Sequence, residues 1–287
     1  MLVQSFLVQG AAASAAAMAS KLGSLNPSSL EGLVLMSLGM EHDTIVQAVQ
    51  NQKDISCPVF VTETYGIIGF DEESGKNIEL MEKGRGTEYG FRGGSGGQGC
   101  LAIGYSDGAI LGSNNQFPPN ASSLMVIADQ SGSWKNDQSN APLHYGGITK
   151  KAWRLDEKDG LVQVPYFWVA DTSGRSTGVS TFTGDAGEAT KELLSKLPSG
   201  CRTAGSIGLF PCFSRGVNQY DAEHVEPTAI GEAIQAAGSG MPQIYGMFAH
   251  GELGPTSFSD FTNQASNTIP CTQHSMASIL SMHTTTS

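Results

Sequence analysis

The chain has no basic footprint. Its 287 residues hold 16 Lys and Arg against 27 Asp and Glu, for a formal net charge of -11, and its longest basic run is the pair Lys150-Lys151. Binding to a phosphate backbone needs clustered cations, so nucleic acid is excluded as a main partner. An acidic balance also disfavours an anionic membrane surface, and solubility is its simplest account. Cysteine is sparse as well: five residues at positions 57, 100, 201, 212 and 271, an odd number with no C-x-x-C. That pattern excludes a disulfide framework and thiolate zinc sites, and it favours a reduced setting, the cytoplasm with the nucleus also open. His42, His144, His224, His250, His274 and His283 show neither H-x-x-x-H nor H-E-x-x-H spacing. No metal and no cofactor are therefore expected. No apolar run approaches the ~20 residues of a membrane span.

Glycine, by contrast, is plentiful, with 36 residues, half of the sixteen positions from Gly84 to Gly99 among them. Gly94-Ser-Gly-Gly-Gln-Gly99 fits G-x-G-x-x-G, but a dinucleotide loop must follow a strand and open a helix. The sequel here, C-L-A-I-G-Y, reads as a strand, so the segment is expected to be a Gly loop.

The first thirty residues form an Ala-rich segment. No positive charge precedes Lys21, and Ala11 to Ala19 are mostly Ala and Met, so a helix is expected rather than a signal peptide. Leu33–Leu38 reads as a buried strand, Thr44–Gln52 as a helix capped by Asp43, and Cys57–Thr62 as a second strand. This is a β-α-β spacing suited to parallel strands. Residues 71–90 read as a charged loop with a turn at Glu73–Lys76. Bare strands follow at Cys100–Tyr105 and Leu124–Ala128, then a strand at Val162–Ala170. Asp185 caps a helix running to Lys196, Ala204–Phe210 is a strand, Glu226-Pro227 opens a helix, and Met241–Ala249 closes the series. The expectation is a mixed α/β fold with flanking helices.

Two strand ends carry the chemistry. One gathers Cys212, Ser214, Arg215 and Gly216, the other His250, Gly251, Glu252 and Gly254. Ligands bind at the carboxyl ends of strands in open α/β sheets, so the two clusters are expected to face one site. Arg215 offers a fork for a carboxylate and Glu252 an acceptor for an ammonium, which suits a zwitterion such as an amino acid. The alternative is an Arg215–Glu252 salt bridge that merely ties two loops. Cys212 beside Arg215 is a nucleophile candidate with His250 as base, and packing is the bland reading of that cysteine.

F-P-C-F-S-R-G, followed some thirty residues later by G-M-F-A-H-G-E-L-G-P, resembles the C-terminal half of the FIST domain. Gln273-His-Ser-Met276 is similar to that family's last segment. L-V-L-M-S-L, the helix after it and C-P-V-F-V-T-E-T-Y-G-I-I-G resemble a diverged N-terminal half. Where the family shows a G-C-T-T-A-G-E-type turn, this chain has Val61-Thr-Glu-Thr-Tyr-Gly66. The resemblance implies two halves, the diverged N-terminal half over residues 31–160 and its end together with the C-terminal half over 161–287, and motif positions at Cys212, Arg215, Gly216, Gly251, Glu252, Gly254 and Pro255. It implies a non-enzymatic signalling or sensing module that binds a small ligand or a protein partner. The alternatives are a substrate-recognition adaptor in ubiquitin-dependent degradation and, less favoured, an enzyme using Cys212. Residues 1–30 carry no F-box pattern, so direct binding to an F-box-type linker is not expected.

Overall fold

A computed structural model describes residues 1–10, 14–82, 97–131, 143–156, 158–175, 177–196, 204–256, 260–262 and 271–284. The chain lays down one strand pattern three times. The first passage comprises β1 (Leu2–Gln9), α1 (Ala15–Gly23), β2 (Gly32–Leu38), α2 (His42–Gln50), β3 (Val59–Glu63), β4 (Gly66–Asp71), β5 (Lys76–Met81) and β6 (Gly99–Ser106). The second comprises β7 (Ala109–Gly112), β8 (Ser123–Asp129), β9 (Leu143–Thr149), β10 (Lys151–Asp156), β11 (Gly160–Gln163) and β12 (Tyr166–Asp171). The third comprises β13 (Thr177–Phe182), α3 (Ala186–Ser195), β14 (Ala204–Pro211), α4 (Val217–Tyr220), α5 (Val225–Ala236), β15 (Ile244–Met247), β16 (Glu252–Pro255), β17 (Asp260–Thr262), β18 (Cys271–His274) and β19 (Ser278–Thr284).

These strands form three mixed sheets among the described residues. Their orders are β1-β6-β2-β3-β10-β11, then β7-β12-β8-β9-β16-β18, then β13-β19-β14-β15-β4-β5 with β17 added at the β13 edge. Each sheet contains one parallel pair, β2–β3, β8–β9 or β14–β15, and every other pairing is antiparallel. The strand that follows each parallel pair leaves its own sheet. β4 pairs with β15, β16 with β9 and β10 with β3, so the exchange closes in a ring.

The inner faces of the three sheets meet in one core. Val34 and Met36 of β2, Met125 and Ile127 of β8, and Phe210 and Tyr245 of the third sheet all belong to it. Alternate residues face outward, as a period of two requires. Leu33 and Leu35 pack beneath α1 and α2, and Ile207 and Leu209 beneath α3 and α5. The outer residues of β8, Leu124 and Val126, pack with Ala121, Trp168 and Leu253 instead of a helix, so both faces of β2 and β8 are buried and these strands read as unbroken apolar runs.

The expected mixed α/β class and the parallel β2–β3 unit are present. Several local readings change. Residues 2–9 are a strand in the first sheet, and the helix starts only at Ala15. Glu41, not Asp43, occupies the α2 cap position, and Asp43 lies in the first turn, where a negative charge suits the helix dipole. Part of the expected loop at 71–90 is β5, in a hairpin whose turn includes Gly75 at positive φ. The expected strand Val162–Ala170 is broken at Pro165 into β11 and β12, which belong to different sheets. The expected strand Met241–Ala249 shortens to Ile244–Met247. The Asp185 cap holds, with its carboxylate accepting the Glu188 amide at 2.8 Å. Gly94–Gly96 and Pro198–Gly200 lie outside the described residues.

Two glycines trace the repeat. A Cβ on Gly146 would sit 2.0 Å from the Val126 carbonyl oxygen, and one on Gly246 would sit 1.8 Å from that of Leu209. Each glycine lies opposite that residue across a parallel pair, and each follows a tyrosine, Tyr145 or Tyr245. Gly246→Ala is expected to lower unfolding free energy by about 1–3 kcal/mol, the usual cost of overpacking. Urea unfolding measures this, and a loss within experimental error would mean that the parallel pair yields more easily than its backbone contact implies.

Candidate functional site

The ring exchange brings three short connectors together. Thr64-Tyr65 joins β3 to β4, Lys150 joins β9 to β10, and Phe248–Gly251 joins β15 to β16. Backbone hydrogen bonds link them: Lys150 N–H to Glu63 O at 3.0 Å, Phe248 N–H to Gly66 O at 2.9 Å, and His250 N–H to Ile148 O at 2.8 Å. The connectors start at the carboxyl ends of β3, β9 and β15, the strand ends at which open α/β sheets place ligands.

The carboxyl end of β14 joins them. Cys212 forms a parallel bridge with Ala249, and the Phe213 amide donates to Ala249 O at 2.9 Å. The two clusters singled out in the sequence are thus in direct contact. Their side chains divide into a buried set and a surface set.

Arg215 is the main correction. It is only 1% exposed, and its partner is Glu226 on α5 rather than Glu252. Nε donates to Glu226 Oε1 at 2.6 Å, Nη1 to the carbonyls of Thr183 (2.9 Å) and Met276 (3.4 Å), and Nη2 to Gly184 O (3.1 Å) and Tyr220 Oη (2.6 Å). A guanidinium has five N–H donors, and these contacts engage all of them. Phe182 and Tyr220 flank it, with ring centroids 5.5 and 5.7 Å from Cζ. Glu226 also accepts from Tyr220 Oη and from Ser278 Oγ, each at 2.8 Å. Arg215 therefore clamps the β13–α3 turn and the β18–β19 turn to α5, and holds nothing for a ligand.

Glu252 is fully buried at the start of β16. Its Oε2 accepts the Ala277 amide at 3.3 Å, while Oε1 has no hydrogen-bond partner at ordinary geometry among the described residues. Burial pushes its carboxyl up to about 7 against the lowering pull of the Ala277 amide and the Cys212 side chain. The Cys212 thiol is raised by burial and then by the Glu252 carboxylate, while the Ser214 hydroxyl, which donates to Sγ at 3.0 Å, pulls the other way. Cys212 and Ser214 are 6% and 8% exposed. This thiol is held protonated, the opposite of what a nucleophile requires.

The glycines of the motif are close-packing positions. Gly216 has φ 60°, with a Cβ site 3.0 Å from the Phe248 ring. Gly251 has φ 124°, and Gly254 would drive a Cβ to 2.6 Å from Ile279 Cδ1. Pro255 O accepts from Thr181 Oγ1 at 2.9 Å.

Of the residues in the two strand-end clusters, His250 alone is exposed. Its ring lies 5.2 Å from Phe213 and 5.8 Å from Tyr65, and those two rings are 5.6 Å apart. Lys150 Nζ stands 5.4 Å over the Tyr65 ring and reaches Glu82 Oε2 at 3.1 Å and Glu63 Oε1 at 3.5 Å. Tyr65 Oη donates to Gln130 Oε1 at 2.6 Å. Sequence reasoning missed Tyr65, Lys150 and Phe213 as site residues. The signal was their place, immediately after the carboxyl ends of strands.

Two other arrangements resemble catalytic sets. Tyr145 Oη meets His283 Nε2 at 2.8 Å, with Asp171 Oδ2 3.7 Å from Nδ1, but all three side chains lie within the core at 2% exposure or less. Gly174-Arg-Ser-Thr-Gly178 fits G-x-S-x-G, a pattern that needs a strand-to-helix turn, whereas here it joins strands β12 and β13; Ser176 is outside the described residues. Among the described residues no group of His, Cys, Asp and Glu is placed to hold a metal ion, and no helix is long and apolar enough to cross a membrane.

No family model matches the chain, and no curated protein matches it.

Two outcomes follow for the buried set. Arg215→Ala leaves Glu226 buried without its cation and is expected to cost about 3–5 kcal/mol, measured by chemical unfolding. A ligand-binding arginine would show a loss far below that. Glu252 titrates higher in the folded state than its ordinary value of 4.5, so between pH 4.5 and about 7 the folded state binds more protons than the unfolded. The stability it contributes below pH 4.5 is lost as pH rises to about 7. Unfolding curves across that range should show Glu252→Gln gaining on the wild type with rising pH, and a constant difference would refute the assignment.

Proposed function

We propose that this chain is a non-enzymatic recognition module of FIST type, acting in signal transduction in the cytoplasm, and that it binds a small ligand or a protein segment on the connector face. The observation that carries this reading is the contact between the two segments of FIST resemblance. Cys212 and Phe213 bridge to Ala249, and His250 is left at the surface among the rings of Tyr65 and Phe213. Binding is favoured over catalysis because the thiol beside the face is held protonated and Arg215 is engaged within the fold. A face of rings with few mobile groups suits recognition, since aromatic side chains bury much area for little lost freedom.

A thermal-shift screen tests the reading. Amino acids, polyamines and pools of short peptides would be tried at millimolar concentration on the wild type and on His250→Ala. A ligand present at tenfold its Kd stabilises the folded state by about 1.4 kcal/mol. At least one compound class is expected to raise Tm in the wild type and not in the variant. No shift from any class, or equal shifts in both proteins, overturns it.

A further inference from the structure

The first sheet carries a cavity of about 250 Å³ at the end opposite the connector face, where α2 leads into β3 beside the end of β10. Its floor is apolar. Val49 of α2 and Val59 of β3 are buried, and Ile55, Cys57 and Leu155 lie half-buried against the same core. Burial pushes the Cys57 thiol up to about 11, so at neutral pH it is uncharged lining. The walls are tied down. Gln52 Nε2 donates to Ala19 O at 2.6 Å, the Ile55 amide to Gln52 O at 3.1 Å, and the Leu33 amide to Pro58 O at 3.0 Å. A concave, mostly apolar and pre-formed hollow is the form that small-molecule sites take.

The rim decides what can enter. Gln50 and Ser56, both exposed, bring an amide and a hydroxyl. Lys53 and Asp156 bring one charge of each sign. Asp156 is fixed by the amides of Lys158 (2.9 Å) and Asp159 (3.4 Å), with Arg154 Nη2 at 3.6 Å. The cavity also lies at the carboxyl end of α2, where the helix dipole is negative. A carboxylate would be drawn by Lys53 and opposed by Asp156 and the helix end. An ammonium would be drawn by those two and opposed by Lys53. Neither charge gains a net partner to offset its loss of water, which is costly beside an apolar floor. A neutral head that donates and accepts hydrogen bonds meets no such opposition and can use Gln50 or Ser56. Volume sets the size: at about 30 Å³ per water, the cavity matches about eight waters, or an aliphatic molecule of about eight heavy atoms.

We infer that this cavity binds a small, uncharged aliphatic molecule with one hydrogen-bonding head, an alcohol or a primary amide, whose tail lies on the floor between Val49 and Val59 and whose head meets Gln50 and Ser56. The site is separate from the connector face and does not rest on the reading of that face.

Calorimetric titration of the full chain tests it, with straight-chain alcohols from butanol to decanol and with hexanamide, hexanoate and hexylamine. Affinity is expected to rise about fourfold per methylene from butanol to hexanol, the worth of burying one CH₂, and to level off once the cavity is full. Hexanol and hexanamide should bind at least about tenfold more tightly than hexanoate or hexylamine, whose charges resist burial. Hexanol should also slow alkylation of Cys57 by a maleimide, read by peptide mass spectrometry, which places the ligand here. Lys53→Glu makes both lining charges negative and should raise hexylamine affinity about tenfold with an unchanged Tm. His250→Ala should bind hexanol as the wild type does, which separates this site from the connector face. Cys57→Phe fills the cavity and should abolish hexanol binding, whereas Cys57→Ala should keep it; if the larger side chain prevents folding, the alkylation result decides. Affinity independent of chain length, equal binding of hexanol and hexylamine, or hexanol binding that leaves Cys57 alkylation unchanged overturns the inference. So does the absence of binding by every alcohol at millimolar concentration.

Discussion

The exchange of strands between sheets is the constraint on which everything else depends. Each parallel pair is flanked on one side by a strand that belongs to another passage of the chain: β3 by β10, β9 by β16, β15 by β4. No sheet is complete within its own sequence segment, so the three cannot part without breaking backbone ladders. Buried backbone groups must stay paired, and this turns three modest sheets into one cooperative unit. The exchange also fixes where the connectors run. A chain leaving the carboxyl end of β3, β9 or β15 must cross at once to the neighbouring sheet, and all three crossings occur at the same end of the parallel pairs. The face is a product of topology before any side chain is chosen.

Within that frame, Arg215 and Glu226 decide which side chains reach the surface. The turn after β14 holds Cys212, Phe213, Ser214 and Arg215. Cys212 is buried against Glu252, Ser214 donates to Cys212, and Arg215 is buried against Glu226, so Phe213 is the one side chain of the four left half-buried beside His250. A buried ion pair is weak evidence for stability, because desolvation opposes the attraction. Here the pair has a clearer role. It ties α5 to two turns that come from the strands β13 and β19, and so sets the depth at which the β14 turn sits. Glu79 makes a comparable tie elsewhere: its Oε2 accepts the His224 amide at 2.9 Å, its own amide donates to His224 Nδ1 at 2.8 Å, and burial pushes its carboxyl up to about 8. An exchanged hairpin is thus fastened to the cap of α5.

Local periodicity made the parallel β2–β3 unit, the Asp185 cap and most strand cores legible in the sequence. Partner choice was not legible. A strand's pattern of apolar residues says that it is buried, not which sheet receives it, so β4, β10 and β16 gave no sign of leaving home. Pro165 was the readable mark that Val162–Ala170 is two strands, since proline removes a ladder donor. The repeated Tyr-Gly at 145–146 and 245–246 was a faint trace of the repeat. At the site, proximity in a motif was mistaken for proximity in space. Glu252 lies in the motif that follows Arg215, but Glu226 lies on the helix that packs against it, and a glutamate read only as a helix opener proved to be the buried partner. The meeting of the two motif segments, in contrast, follows from adjacent parallel strands ending at the same edge.

The site arises where the threefold pattern is least exact. Its skeleton is regular, with equivalent strand orders in all three sheets, yet the connectors hold two residues, one residue and four. Length controls what each can present. With one residue, Lys150 is held by the strands on both sides, and its ammonium has a fixed position over Tyr65. With four, the third connector has room for a positive-φ Gly251, whose carbonyl accepts the Ile148 amide at 2.8 Å while His250 is carried outward. Equal connectors would place like side chains around the face, and like charges there would repel one another. Unequal ones allow rings from the first and third passages to meet a cation from the second. The regular part of the fold supplies rigidity, and the departures from regularity supply the chemistry.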